Sequence, residues 1–166
     1  MKVRVGLGLL AAAALAACAT LGAFVEPPRF EADTSRSAEL RLLGPSVQRP
    51  LGGGAVRLWA RVQNPNAFGV RLSTVRGNLF LDGVRAAELD LPLGLPLAAG
   101  QDTVIPLELV ISFADLPGLA DVATRALSTR TLPYRLEGNL GVDAGALGVL
   151  DFGPTRLLSG EVQVSR

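Results

Sequence analysis

The chain has 166 residues, 49% of them hydrophobic and only 5% aromatic, with 16 basic and 15 acidic residues, one cysteine and no histidine. That length suits one domain with a substantial, mainly aliphatic core. A near-neutral balance leaves no basic footprint for nucleic acid, and the absence of histidine removes the usual general base, zinc ligand and centre of a Ser-His-Asp relay.

The first element is a short leader. Lys2 and Arg4 precede an almost unbroken apolar run from Val5 to Ala17, the length of a signal-peptide core and shorter than the roughly 20 residues needed to cross a bilayer. The run closes on Leu15-Ala16-Ala17-Cys18. These four residues resemble the lipobox of bacterial lipoproteins, which implies lipidation of Cys18, removal of residues 1–17 and a palmitate-bearing mature N-terminus. Three acyl chains on one residue exceed the two signals that stable anchoring requires. Ala19, where an aspartate would favour retention, implies by the same resemblance an outer-membrane anchor in a Gram-negative cell, with the domain facing the periplasm.

The expected organisation is a signal peptide over 1–17, a lipidated tether over 18–26 and one domain over 27–166. Processing leaves 14 arginines, 15 acidic residues and no lysine, which excludes a Schiff base or a Ser-Lys pair. With Cys18 lipidated, no thiol remains for a disulfide, a nucleophile or a metal. No catalytic residue, metal site or cofactor is therefore expected. Glu88 and Asp90, two apart and so on one face of a strand, are the best carboxylate pair for an enzymatic alternative such as glycoside hydrolysis. Charge alternating with apolar residues is also what any half-solvated strand displays.

Pro27-Pro28 stiffens the start of the domain. Beyond Phe30, short extended segments are punctuated by Gly, Pro and Asn. Residues 39–43, followed by Val47, form an early strand, and Gly52-Gly53-Gly54 separates it from a clearer one. Across 55–63, Val56, Leu58, Ala60 and Val62 alternate with Arg57, Trp59, Arg61 and Gln63, giving one apolar face. Trp59 falls on the polar face, where Arg57 or Arg61 can stack on it. The triple glycine lacks a following Gly-Lys-Ser/Thr and makes no phosphate cradle.

Residues 70–75 and 78–81 read as two further strands, and Asp82-Gly83 as a tight hairpin turn. On the return, Leu89, Leu91, Leu93, Leu95 and Leu97 share one face, a candidate apolar surface. Pro92 and Pro96 share the other parity and mark an unpaired edge. Ala99-Gly100 turns into a strand over 103–113 with Ile105, Leu107, Leu109, Ile111 and Phe113 on one face. Asp115 caps a helix over 116–127, with Leu116, Leu119, Ala123 and Leu127 on its inward face. Alternation resumes at Tyr134, Leu136, Gly138, Leu140 and Val142, and a last strand covers 157–164. The expectation is an all-β sandwich of about seven strands with one inserted helix.

A strand ending in Asn64-Pro65-Asn66, then Leu72, Gly77-Asn78-Leu79-Phe80-Leu81-Asp82-Gly83, Ala99-Gly100 and Tyr134-Arg135-Leu136-Glu137-Gly138 together resemble the late embryogenesis abundant type 2 family, which includes the water-stress and hypersensitive-response domain. The resemblance covers about 27–164. It implies a fibronectin-III-like or immunoglobulin-like sandwich and a non-enzymatic role in desiccation or envelope stress. In physical terms Pro65 keeps Asn64 extended, while both asparagine amides can satisfy turn backbone or form a binding loop. Binding or transfer of lipid or another apolar ligand at the envelope is the competing function, carried by the leucine row. The expected partners are the membrane, through the anchor, and lipid or envelope proteins, with no nucleic acid.

Overall fold

The computed structural model describes residues 25–113 and 118–165. Cys18, the leader, most of the tether, and Asp115, Leu116 and Pro117 lie outside these residues. Eight strands and one helix follow in chain order: β1 (Arg29–Ala32), β2 (Ala38–Leu43), β3 (Gly53–Gln63), β4 (Val70–Leu81), β5 (Val84–Leu97), β6 (Asp102–Ser112), α1 (Leu119–Thr129), β7 (Thr131–Asp143) and β8 (Val149–Ser165).

The fold is all-β with one inserted helix, as its punctuated alternation predicts. Hydrogen bonding runs in the order β1-β3-β2-β8-β7-β4-β5, with β6 added to β3. β3 is the organiser. It pairs along its whole length with β6, from Gly53 opposite Ser112 to Gln63 opposite Asp102. Its other edge is divided between β1, opposite residues 60–63, and β2, opposite 53–57. β7 makes long antiparallel pairings with β4 and β8. A four-residue parallel pairing, Ala38–Arg41 with Val162–Ser165, joins the two halves.

The core is aliphatic. Val56, Leu58, Ala60 and Val62 of β3 are all buried, as their period of two requires. Leu107, Leu109 and Ile111 of β6 and Leu136, Leu140 and Val142 of β7 are buried as well, and Tyr134 is the one aromatic among the buried residues described. Each leucine removed from water contributes about 1.5–3 kcal/mol.

Several boundaries depart from the sequence expectation. β1 adds an eighth strand, and the expected 70–75 and 78–81 strands are one, because Arg76 and Gly77 stay paired to both β5 and β7. Gly77 lies directly opposite Gly138, and a Cβ on either would come within 2.0–2.1 Å of a carbonyl oxygen on the other strand. The glycines thus permit a close crossing and do not end the strand. Similarly, Gly53 and Gly54 belong to β3, and a Cβ on Gly53 would meet the Ile111 carbonyl at 2.2 Å. Val47 is fully exposed and outside any strand. β8 starts eight residues before the expected strand at 157.

The helix spans 119–129, later than 116–127. Gly118, with φ 89°, precedes it, and Arg130 ends it at φ 61°. Its inward residues are Val122 and Ala126, whereas Leu127 is exposed, so the buried face is rotated from the one expected. Asp82 and Gly83 have φ of 48° and 79°, the left-handed pair that a tight β4–β5 hairpin requires. Asp82 Oδ2 accepts a 2.5 Å hydrogen bond from Arg125 Nε, tying helix to hairpin.

Candidate functional site

The strand ends that surround Asn64 come from four parts of the chain. Register places Gln63 opposite Asp102, Val70 opposite Leu97, and Arg71 opposite Asp143. The β3–β4, β5–β6 and β7–β8 loops therefore cluster at one end of the sandwich. Asn64 is fully buried and Asn66 nearly so, and burial of an amide is costly unless every donor and acceptor is matched.

Here they are matched. Asn64 Nδ2 donates to the carbonyls of Phe68 (2.8 Å), Ala98 (3.0 Å) and Leu97 (3.2 Å). Its Oδ1 accepts from the Asn66 backbone N–H at 3.0 Å and from Asn66 Nδ2 at 2.9 Å. Asn66 grips Glu26 at two points: the Glu26 N–H donates to Oδ1, and Nδ2 donates to the Glu26 carbonyl, both at 2.9 Å. The Asn64 N–H reaches the Gln101 carbonyl, and the Gly100 N–H reaches the Asn66 carbonyl. Both side-chain amides are spent on joining the backbone at Glu26, the end of β3 and the β5–β6 turn.

The leucine row lies on β5, an end strand hydrogen-bonded to β4. Leu89 and Leu97 are buried in the core, while Leu91, Leu93 and Leu95 are half-buried and pack against it. The candidate apolar surface is thus core at both ends and partly covered between them. Glu88 and Asp90 do share the outer face, on either side of buried Leu89. Each is exposed and engaged by an arginine, Glu88 with Arg85 at 2.9 Å and Asp90 with Arg76 at 3.2 Å. They border a shallow trough of about 520 Å³ across β5, β4, β7 and β8 that also includes Gly77 and Gly138.

Sequence reasoning missed a second buried polar centre. Asp33, in the β1–β2 loop, is 5% exposed. Ser35 Oγ donates to it at 2.7 Å and Arg61 Nη2 at 3.1 Å, while Arg61 Nη1 reaches Asp102 at 2.8 Å. The Ser35 hydrogen bond first, and then Arg61, hold the Asp33 carboxyl below the usual carboxylate range against the opposing effect of burial. The two carboxylates in turn raise the Arg61 pKa. Arg36 covers Trp59 at 4.4 Å from the ring centroid. Neither expected neighbour does so, because Arg57 is held by Glu108 at 2.8 Å and Arg61 by its two carboxylates. The signal available in the sequence was Asp-x-Ser, a spacing at which a serine hydroxyl can reach a carboxylate within one turn.

Among the described residues, no three His, Cys, Asp or Glu side chains are grouped to hold a metal, and no helix is long and apolar enough to cross a membrane. The arrangement consists of saturated amides, arginine–carboxylate pairs and an aliphatic core.

A solution structure of a protein from Arabidopsis thaliana has a TM-score of 0.51 at 15% identity, covering 86% of this chain and 81% of that one, and so shares the fold. A solution structure of a late embryogenesis abundant (LEA) protein has a TM-score of 0.49 at 15% identity, covering 95% and 86%. A crystal structure of a protein from Archaeoglobus fulgidus has a TM-score of 0.44 at 14% identity, covering 79% and 98%. No curated protein matches the sequence. A family model described as Late embryogenesis abundant protein matches residues 60–154, from the middle of β3 into β8. The chain belongs to the late embryogenesis abundant type 2 family.

Proposed function

We propose that this late embryogenesis abundant domain is a non-catalytic lipoprotein, anchored by Cys18 in the outer membrane and facing the periplasm, that protects the cell envelope during desiccation or related stress. Family membership over residues 60–154 carries the reading. The Leu15-Ala16-Ala17-Cys18 sequence supports the anchor, and the engagement of Glu88 and Asp90 by exposed arginines argues against an acid–base pair. A domain without reactive groups acts through what its surface contacts, so the anchor would decide what it meets.

Labelled palmitate should enter the wild-type protein and not the Cys18→Ala variant, which should move to the soluble fraction. A deletion strain should survive drying, salt or detergent less well than its parent. Unchanged survival and envelope integrity across all three stresses would overturn the protective role.

Half-burial of Leu91, Leu93 and Leu95 on the end strand β5 favours a second reading, an apolar ligand held along that strand. Native mass spectrometry of the soluble domain lacking the acylated N-terminus should then show a co-purifying lipid. A spectrum of bare protein under gentle conditions would remove this reading.

A further inference from the structure

The grip of Asn66 on Glu26 fixes where the chain leaves the domain. Both Glu26 backbone groups are hydrogen-bonded to the Asn66 side chain, and the preceding Val25 is buried. The exit is therefore at the end of the sandwich formed by loops 64–69, 98–101 and 144–148. Eight residue steps separate Cys18 from Glu26, and an extended chain covers at most about 3.6 Å per step, so the tether reaches no more than ~29 Å. β3 has 11 residues, and its ten steps of about 3.3 Å run for ~33 Å. An upended domain, with Val47 against the anchoring bilayer, would need more tether than there is.

The composition of the exit end is independent of this length argument. None of the residues in the three loops carries a charge, and the exposed carboxylates at their margin, Glu26 and Asp102, are paired with Arg29 and Arg61. Apart from Phe68, which is 37% exposed, and Gln101, their exposed positions are alanines and glycines. At the opposite end, the β2–β3 loop includes Arg49 and the β4–β5 hairpin includes Asp82. Small apolar residues around one aromatic suit the boundary between headgroups and acyl chains, where aromatic rings partition and a charge would lose hydration.

We infer that the 64–69, 98–101 and 144–148 end of the sandwich is a lipid-facing surface, resting on the bilayer that holds Cys18, with Asn66 as the residue that sets the orientation. The inference rests on the lipidation of Cys18. Phe68 sits at the interface and the Val47 end points away from it.

Lipidated protein in phosphatidylethanolamine/phosphatidylglycerol vesicles tests the orientation, because the Cys18 sulfur is then blocked and one introduced cysteine can be labelled. Fluorophores on F68C and A99C should be quenched by nitroxide-bearing lipid several-fold more than one on V47C. A Gly/Ser spacer of about ten residues inserted between 22 and 23 raises the maximum reach of the tether by ~36 Å and leaves the domain itself intact, so it should reduce that contrast. Asn66→Ala should do the same if it folds. Equal quenching at 68, 99 and 47 in protein shown to incorporate palmitate overturns the orientation and leaves the anchor standing. A contrast unaffected by the spacer overturns the role given to Asn66. Absence of palmitate overturns the anchor itself.

Discussion

Asn64 holds more of the fold together than its size suggests, because its one amide group serves three carbonyls and two donors contributed by both flanking loops. Asn64→Ala leaves those buried groups without a partner, and each such group costs about 1–3 kcal/mol. Urea denaturation should show a loss of at least that size, and an unchanged midpoint would contradict the account. Asp33 makes stability depend on pH. Its carboxyl is held below the usual range in the folded state, so the unfolded chain binds the proton more readily. Its contribution is full above the ordinary carboxylate range and disappears as pH falls through the depressed value. Melting temperatures measured from about pH 7 down to about pH 2 should fall for the wild type and follow a flatter course in Asp33→Asn, which starts lower. Parallel curves for the two proteins would place the acid sensitivity elsewhere.

At the scale of elements, the parallel pairing of Ala38–Arg41 with Val162–Ser165 is the joint between the halves of the sandwich. A chain ending at Glu161 loses that pairing together with buried Val162. It should unfold over a broad range in circular dichroism, where the complete domain unfolds sharply; an equally sharp transition would show that the joint is dispensable. The legibility of each element depended on its surroundings. β3 has one wet and one dry face, so alternation marked it almost to the residue. β1 alternates over only four residues, too short a run to stand out, and the first half of β8 is interrupted by Gly153-Pro154, so both were missed. The start of the helix is set by Gly118 at a positive φ, which an acidic N-cap signal three residues earlier obscured. The local turn role of Asn-Pro-Asn could be read from its own residues. Its partners at Glu26 and Ala98 are 40 and 34 positions from the asparagines they meet, and no local pattern carries that information.

Across the whole molecule, strands distant in sequence must meet before the sheet can close, Ala38 with Val162 being the extreme case. Long-range pairing of this kind places folding in the millisecond-to-second range of all-β domains. Stopped-flow refolding should find it there, and microsecond folding would mean that a smaller local unit forms first. The capping of Trp59 by Arg36 gives that experiment an optical handle. Trp59 is the sole tryptophan, so emission excited at wavelengths where tyrosine does not absorb originates from one indole beneath one guanidinium. Its spectrum therefore reports on the seating of a single loop, residues 33–37, rather than on an average over the sheet. Where emission and far-ultraviolet dichroism part during denaturation, the interval between them measures how far that loop lifts before the strands separate.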